Sequence, residues 1–315
     1  MGIMRQDIVE KPSRSGVFLV VEIDHTREAE EAARDTLSRF DAFTRSVGFR
    51  HPEDGLTAVV GIGARAWDRL FSLPRPVDLT EFEEIRGAKH VAPATGGDLL
   101  IHLRAEHEDM CFELARIPLD NLGEGARVTD EVRGFKYFNQ RDLLGFVDGT
   151  ANPRTERSLE AVYIPKGEPW EGSTYVTVQR YSHDLSSWNA ETVEEQERVI
   201  GRTKLSDVAF PAHERPSNSH VALNTVTDES GEELKIYRLN MPFGSMAERT
   251  FGTFSIGYTH QPEIIRMMLR NMFIGRPEGN YDRILDYSTA HTGATFFVPT
   301  YDFLATANND GVARR

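Results

Sequence analysis

The order of sequence patterns in the first half of the chain limits its fold more than any other feature. Residues 16–23, GVFLVVEI, form an uninterrupted run of β-branched and aromatic residues, which is typical of a strand covered on both faces. Apolar residues then recur at helical spacing over 28–47, and Gly48 occupies the position that follows a helix end. Two strand-like segments and a second helical segment follow, at 56–63, 97–105 and 107–116. This order predicts a ferredoxin-like unit, with helices on one face of an antiparallel sheet.

The second half of the chain repeats this pattern. Its strand-like segments lie at 173–181, 233–239 and 253–259, and its helical segments lie at 192–201 and 262–273. A capping box, Thr192 with Glu195, begins the first of these helices, and Gly201 ends it. We therefore predict an α+β protein of two ferredoxin-like modules, an N-terminal one at residues 1–147 and a C-terminal one at 148–315, with the functional site in the second.

Composition and charge exclude several classes of protein. Hydrophobic residues make up 39% of the 315 residues, which is enough for a core and argues against global disorder. The formal net charge of −13 argues against a surface that binds nucleic acid phosphates. The N-terminus lacks the pattern of a signal peptide, and no apolar run approaches the length of a bilayer. We therefore expect a cytoplasmic protein that interacts with neither nucleic acid nor membrane.

The cysteine count limits the metal chemistry. Cys111 is the only cysteine, which excludes a disulfide framework, multi-cysteine zinc or iron–sulfur sites and the CxxCH motif. A haem group, if present, would therefore be held without thioether bonds. Cys111 lies in an amphipathic helical pattern, and we predict a core residue rather than a reactive thiol. The sequence also lacks the HExxH, Walker A and GxSxG motifs.

Polar side chains in three short stretches remain as candidates for chemistry. The stretches are GFVDGTANP at 145–153, SNSHVALNT at 217–225 and YRLNMPFG at 237–244. Arg238 and Asn240 are two residues apart, so in a strand both side chains would point to one face. Taken singly, Asp148 is explained by an Asx-turn, His220 by a core or capping role and Arg238 by surface exposure.

Taken together, the three stretches closely resemble the dye-decolourising peroxidases, and in particular their shorter bacterial class. GFVDGT matches the GxxDG motif of that family, SHVALN its proximal-histidine segment and RLNMPFG its distal Arg-x-Asn segment. The flanking segments FKYFNQRDLL, QERVIGRTKLSDV, NMFIG and DRILDYSTA are also similar to family sequences. The resemblance extends from about residue 16 to residue 304. It implies two ferredoxin-like modules with haem b between a sheet and helices, in agreement with the fold predicted above.

The resemblance implies how the cofactor is held. His220 would be the proximal ligand of the haem iron, and Arg202 would approach a haem propionate. The other ring nitrogen of a ligating histidine usually donates to a carboxylate, which makes the ligand more electron-rich. We expect Asp282 to be that carboxylate, with Asp286 as the alternative.

On the distal side, the resemblance implies Asp148, Arg238 and Asn240 as the catalytic residues. Hydrogen peroxide must lose a proton from one oxygen and gain one at the other, and a carboxylate can carry that proton. A permanently charged arginine can stabilise the leaving oxygen. The ferryl intermediate of the family then oxidises dyes and phenolic donors one electron at a time. Some family members have a glutamate that helps bind manganese where this chain has Ala151, so strong manganese oxidation is in doubt.

Two other classes of function remain open at this point. The first is a haem-handling protein that stores or delivers haem, or releases its iron, with little turnover; it would need His220 but not Arg238. The second is a haem-free ferredoxin-like assembly module in which the motif residues serve only packing. Strand edges and the family both lead us to expect a homo-oligomer.

Overall fold

The computed structural model describes residues 2–9, 13–309 and 311–314. The strands in these ranges are β1 Ser15–Ile23, β2 Thr57–Gly63, β3 Ile85–Arg86, β4 Val91–Ala92, β5 Leu99–Ala105, β6 Ala126–Phe135, β7 Thr174–His183, β8 Tyr237–Arg238, β9 Met241–Ser245, β10 Thr250–Thr259, β11 Ser288–Ala290 and β12 Ala294–Val298. The α-helices are α1 Arg27–Ser38, α2 Phe40–Gly48, α3 Ala64–Leu70, α4 Glu108–Leu122, α5 Glu156–Val162, α6 Leu185–Ala190, α7 Val193–Ile200, α8 His220–Asn224, α9 Pro262–Phe273 and α10 Tyr301–Leu304. Short 3-10 helices lie at Pro52–Asp54, Gly123–Gly125 and Arg283–Asp286.

One antiparallel sheet runs through both halves of the chain, in the order β6-β1-β5-β2-β12-β7-β10-β8. Within the first half the strands are therefore arranged as fourth, first, third and second. The second half has the same arrangement, with β12 as its fourth strand and β7 as its first. The two sets meet where β2 pairs with β12. The predicted α+β fold with ferredoxin-like modules is confirmed.

The two faces of β1 pack against different layers, because successive side chains of a strand point in opposite directions. Val17 and Leu19 belong to a core that includes α1, α2 and α4. Phe18 lies on the other face, in a core shared with Phe254 and Ile256 of β10. The Phe18 and Phe254 rings stack with centroids 4.3 Å apart. One face of β10 is thus buried against the first half, which leaves the other face for a site.

Several helix boundaries agree with the sequence. Helix α9 covers Pro262–Phe273, as its pattern predicts. Helix α7 begins where the Thr192 side chain accepts a hydrogen bond from the backbone of Glu195. It ends at Gly201, whose φ of 90° belongs to the left-handed region that favours glycine.

Other boundaries differ from the prediction. The helical pattern over 28–47 forms two helices, because the backbone at Arg39 leaves helical geometry at φ −106°, ψ 0°. Gly48 is the last residue of α2 rather than the residue after it. The predicted strand over 233–239 is reduced to β8. Its first part pairs with the preceding segment instead, since Leu234 N donates to Val226 O.

The prediction for Cys111 is confirmed. It is fully buried in α4, and burial raises the pKa of its thiol to about 12. A thiol in such a site is inert at neutral pH. Within the described residues, the structure has no helix that is both long enough and apolar enough to cross a membrane.

Candidate active site

A cavity of about 590 Å³ lies between the open face of β7 and β10 and the helices α8 and α9. Its sheet side is polar, because alternate residues of the two strands face it: Thr177, Gln179, Thr253 and Ser255. Its helical side is apolar and includes Ile265, Leu269 and Met272. A volume of this size, with few polar groups among apolar ones, is typical of a small-molecule or cofactor site.

His220 is the first residue of α8, which Ser219 caps by accepting a hydrogen bond from Ala222 N. Its ring Nδ1 donates to Oδ2 of Asp282 over 2.7 Å. Asp282 has no exposed surface, and its second oxygen accepts from the backbone N–H of Ile284 over 3.1 Å. Asp282 thereby fixes both the tautomer and the orientation of the ring. Nε2 remains for another partner.

Asp286, the alternative carboxylate, belongs to a different cluster. Its Oδ1 accepts hydrogen bonds from Lys89 Nζ at 2.5 Å, Tyr281 OH at 3.0 Å and His90 Nε2 at 3.2 Å. None of these bonds involves His220. The geometry therefore favours Asp282 over Asp286 as the partner of His220.

Asp148 lines the same cavity from the turn that follows Val147. Its Oδ1 accepts hydrogen bonds from Gly149 N at 2.7 Å and from Asn240 Nδ2 at 3.3 Å. Both of these hydrogen bonds go to Oδ1. Among the described residues, Oδ2 accepts none, so it is available to exchange a proton. Burial raises the pKa of Asp148, and the hydrogen bond from Gly149 and the charge of Arg238 partly oppose that increase.

Arg238 and Asn240 line the same cavity as this carboxylate, although Asn240 lies between β8 and β9 and not in a strand. Burial lowers the pKa of Arg238, although a guanidinium keeps its charge in proteins. Its Nη2 lies 3.2 Å from Sδ of Met268. Asn240 donates to Asp148 and accepts from Ile256 N at 2.9 Å. The structure thus brings all three predicted distal residues to one cavity.

Arg202 also lines the cavity, but one of its nitrogens is already occupied. Nη1 donates to the backbone oxygen of Asp207 at 2.6 Å and to its Oδ1 at 2.8 Å. Thr150 donates to the other oxygen of Asp207 at 2.8 Å, which joins this loop to the turn of Asp148. Ala151 faces the cavity beside Thr150 and offers no metal ligand.

The sequence reasoning missed one carboxylate of the cavity. Asp142 lines it, and burial raises the pKa of Asp142 to about 7, with a further contribution from the charge of Asp148. An isolated bridge pairs Arg141 with Val147, which places Asp142 and Asp148 on one face. Asp142 and Gly145 bracket a tight turn in which Gly145 has φ 91°, but a turn by itself does not indicate that its aspartate lines a cavity.

The residues present fit an iron porphyrin. His220 offers a neutral ring nitrogen with its tautomer fixed, which is a common axial ligand. The apolar residues of α9 suit the faces of a flat macrocycle, and Arg202 offers positive charge for a carboxylate. Among the described residues, no cluster of three or more His, Cys, Asp or Glu side chains could hold a metal ion by itself.

Nearly the whole chain matches the models of a known family. The family model described as Dyp-type peroxidase, N-terminal, matches residues 5–136, and the one described as Dyp-type peroxidase, C-terminal, matches residues 139–303. The chain belongs to the Dyp-type peroxidase family. Members of this family are haem peroxidases, enzymes that use hydrogen peroxide as the oxidant together with an electron donor.

Relatives and solved structures agree with this assignment. A dye-decolorizing peroxidase of Rhodococcus erythropolis is 52% identical over 300 residues, which cover 95% of this chain and 87% of that protein. A variant of DypB from Rhodococcus jostii RHA1 in complex with heme superposes with a TM-score of 0.94 and 46% identity, over 96% of this chain and 98% of that one. The encapsulated DyP-type peroxidase of Mycobacterium smegmatis gives a TM-score of 0.94 and 50% identity, with the same two coverages.

Proposed function

We propose that this chain binds haem b non-covalently in the cavity, reduces hydrogen peroxide there and oxidises dyes or phenolic donors one electron at a time. The observation that carries the proposal is the pairing of groups in one cavity. His220 with the buried Asp282 forms an axial-ligand pair, and Asp148 with Arg238 forms a pair of base and fixed charge. A packing role would not require both pairs to line one space of this size.

On the proximal side, Nε2 of His220 would bind the iron. The Nδ1–H bond to Asp282 gives the ring partial imidazolate character, which makes Nε2 a stronger electron donor. When bound, haem would supply the redox chemistry of peroxide reduction. Arg202 has donors beyond Nη1 with which to approach a propionate.

On the distal side, Asp148 and Arg238 divide the work. The carboxylate of Asp148 would take the proton from one peroxide oxygen and deliver it to the other, directly or through a water. Arg238 would stabilise the negative charge that develops on the departing oxygen, because a cation in a buried site acts at low dielectric. The hydrogen bond from Asn240 occupies Oδ1 of Asp148 and leaves Oδ2 to carry the proton of the peroxide.

An absorption spectrum of the haem-loaded protein, before and after one equivalent of hydrogen peroxide, tests the proposal. We expect a Soret band whose position or intensity changes after peroxide is added. We also expect the protein to oxidise dye in the presence of peroxide. Arg238→Ala should keep the Soret band and lose most of the dye oxidation, whereas His213→Ala, at an exposed position, should change neither. Native protein that binds haem but shows little peroxide-dependent dye oxidation would instead indicate haem handling.

Acidification should affect the two halves of the reaction in opposite directions. Because burial raises the pKa of Asp148, its ionised form is lost at a higher pH than that of an ordinary aspartate, so the peroxide step should slow as pH falls through that pKa. Oxidation of bulky anionic dyes should nevertheless be fastest below neutrality, since the net charge of −13 at pH 7 repels them and acid reduces it. Stopped-flow rates of the peroxide step and steady-state rates of dye oxidation, each measured across pH, separate the two effects. Asp148→Asn should remove the pH dependence of the peroxide step only. A dye optimum above neutrality would contradict this prediction.

A further inference from the structure

Arg238 lies on a two-residue strand that ends the path of the sheet. On its inner side β8 pairs with β10, and the next residue, Leu239, donates its N–H to Ile256 O over 3.1 Å. Neighbouring residues of an antiparallel strand direct their backbone groups to opposite sides. The N–H and C=O of Arg238 therefore point away from β10, toward the edge of the sheet.

The side chain of Asn152 satisfies both of these backbone groups. The N–H of Arg238 donates to Asn152 Oδ1 over 2.9 Å, and Asn152 Nδ2 donates to the carbonyl of Arg238 over 2.7 Å. Both distances are typical of good hydrogen bonds. One primary amide thus occupies the place where a neighbouring strand would pair. These contacts join residues 86 positions apart in the sequence, so they do not serve the local turn of Asn152.

A second asparagine makes the reciprocal connection. Asn240 lies in the segment that follows β8, and its side chain donates a hydrogen bond to Oδ1 of Asp148 on the turn. Asn152 stands on that turn, four residues after Asp148, and binds the backbone of Arg238 on the strand. Gly149 lies close to this amide. A side chain at position 149 would crowd it, since a Cβ there would lie 3.3 Å from Asn152 Nδ2. The turn that carries Asp148 and the segment that carries Arg238 are therefore connected twice, once by a side chain from each.

We propose that Asn152 is a positioning residue for peroxide cleavage, which fixes the backbone of Arg238 relative to the turn that carries Asp148. The inference rests on the proposed function. Asn152 touches neither peroxide nor the proton. It acts through Arg238, because a shift of the Arg238 backbone also shifts the guanidinium group. Misplacement of a catalytic group by about 1 Å can cost up to about 100-fold in rate.

Two variants of the haem-loaded protein test the inference. Asn152→Ala removes both hydrogen bonds. Asn152→Asp keeps the shape and the acceptor, but it turns an oxygen toward the Arg238 carbonyl, so it serves as the test if the alanine variant folds poorly. We expect either variant to slow the peroxide step by about 10- to 100-fold. Fluoride affinity of the ferric protein should fall with it, because fluoride accepts hydrogen bonds from the same distal donors. The KM for the dye should change little.

Asn121→Ala is the matched control. Its side-chain amide also makes two hydrogen bonds, with Arg39 and the backbone of Ile117, but it lies in α4, in the other half of the chain. This variant should leave the peroxide rate and the fluoride affinity unchanged.

A double-mutant cycle separates positioning from general support of the fold. If Asn152 acts through Arg238, then Asn152→Ala should add nothing in an Arg238→Leu background. An equal loss in both backgrounds, or a native peroxide rate and fluoride affinity in Asn152→Ala, overturns the inference. Native haem-loaded protein that does not react with peroxide removes the proposed function. A native rate in Arg238→Leu removes the role of Arg238 and the inference with it, whereas a slow Arg238→Leu beside a native Asn152→Ala removes only the inference.

Discussion

His220→Ala is expected to abolish the native axial spectrum and to leave the protein with little bound haem. The ring is the axial ligand in our proposal. Among the described residues, the other histidine that lines the cavity, His183, has hydroxyl partners rather than a buried carboxylate. Loss of an outer partner of a metal ligand typically lowers affinity by about 10- to 100-fold, and loss of the ligand itself should cost more. Ferric and ferrous spectra, with haem content per chain, measure the effect. Unchanged spectra in His220→Ala would rule out this assignment.

Two aspartates of one short segment provide a matched control for the proximal side. Asp282→Asn replaces the carboxylate that accepts the His220 Nδ1–H bond with a neutral amide, so it should shift the ferric and ferrous spectra and raise the reduction potential of the iron. Asp286→Asn makes the same change from a carboxylate to a neutral amide, but the partners of Asp286 are Lys89, His90 and Tyr281. It should leave the spectra unchanged. The opposite pattern would make Asp286 the proximal carboxylate.

The fold could be predicted largely because its signals are local and periodic. The pattern of β1 and the capping box of α7 each depend on a few neighbouring residues, and each agrees with the structure. Errors occur where tertiary contacts decide. The segment before β8 pairs with residues near Val226 rather than with the sheet, which strand propensity does not report. The division of the chain at residues 147 and 148 stays a prediction.

The candidate site was predictable where its chemistry is carried by unusual residues in short motifs. Asp148, His220 and Arg238 each have an ordinary explanation when taken singly, and the family resemblance of their three segments together indicated one site; the structure brings them to one cavity. Asn152 does not stand out, because an asparagine in a turn has an ordinary local explanation. Its contact with the backbone of Arg238 exists only after the chain has folded, so no pattern near residue 152 predicts it. Asp142 was missed because its role depends on burial.

The roles of Asp148 and Arg238 can be ranked by comparing Arg238→Leu with Asp148→Asn. A general base typically contributes about 10²- to 10⁴-fold, and one donor that stabilises developing charge about 10²- to 10³-fold, so magnitude alone does not decide. The structure adds two arguments. Burial raises the pKa of Asp148, so part of it is protonated in acid and its base function is already incomplete there. Arg238 keeps its charge, and two hydrogen bonds to the side chain of Asn152 hold its backbone.

We therefore expect Arg238→Leu to slow the spectral change that follows peroxide mixing more than Asp148→Asn does. A water can replace part of a proton-carrying carboxylate, but water is a poor substitute for a fixed cation in a buried site. Arg238→Lys is the informative intermediate, because it keeps the charge and loses the planar fork, so it should fall between native protein and Arg238→Leu. Stopped-flow mixing of each variant with peroxide, at equal haem loading, gives the order directly. If Asp148→Asn is the slowest, then proton transfer limits the reaction and the aspartate is the principal catalyst.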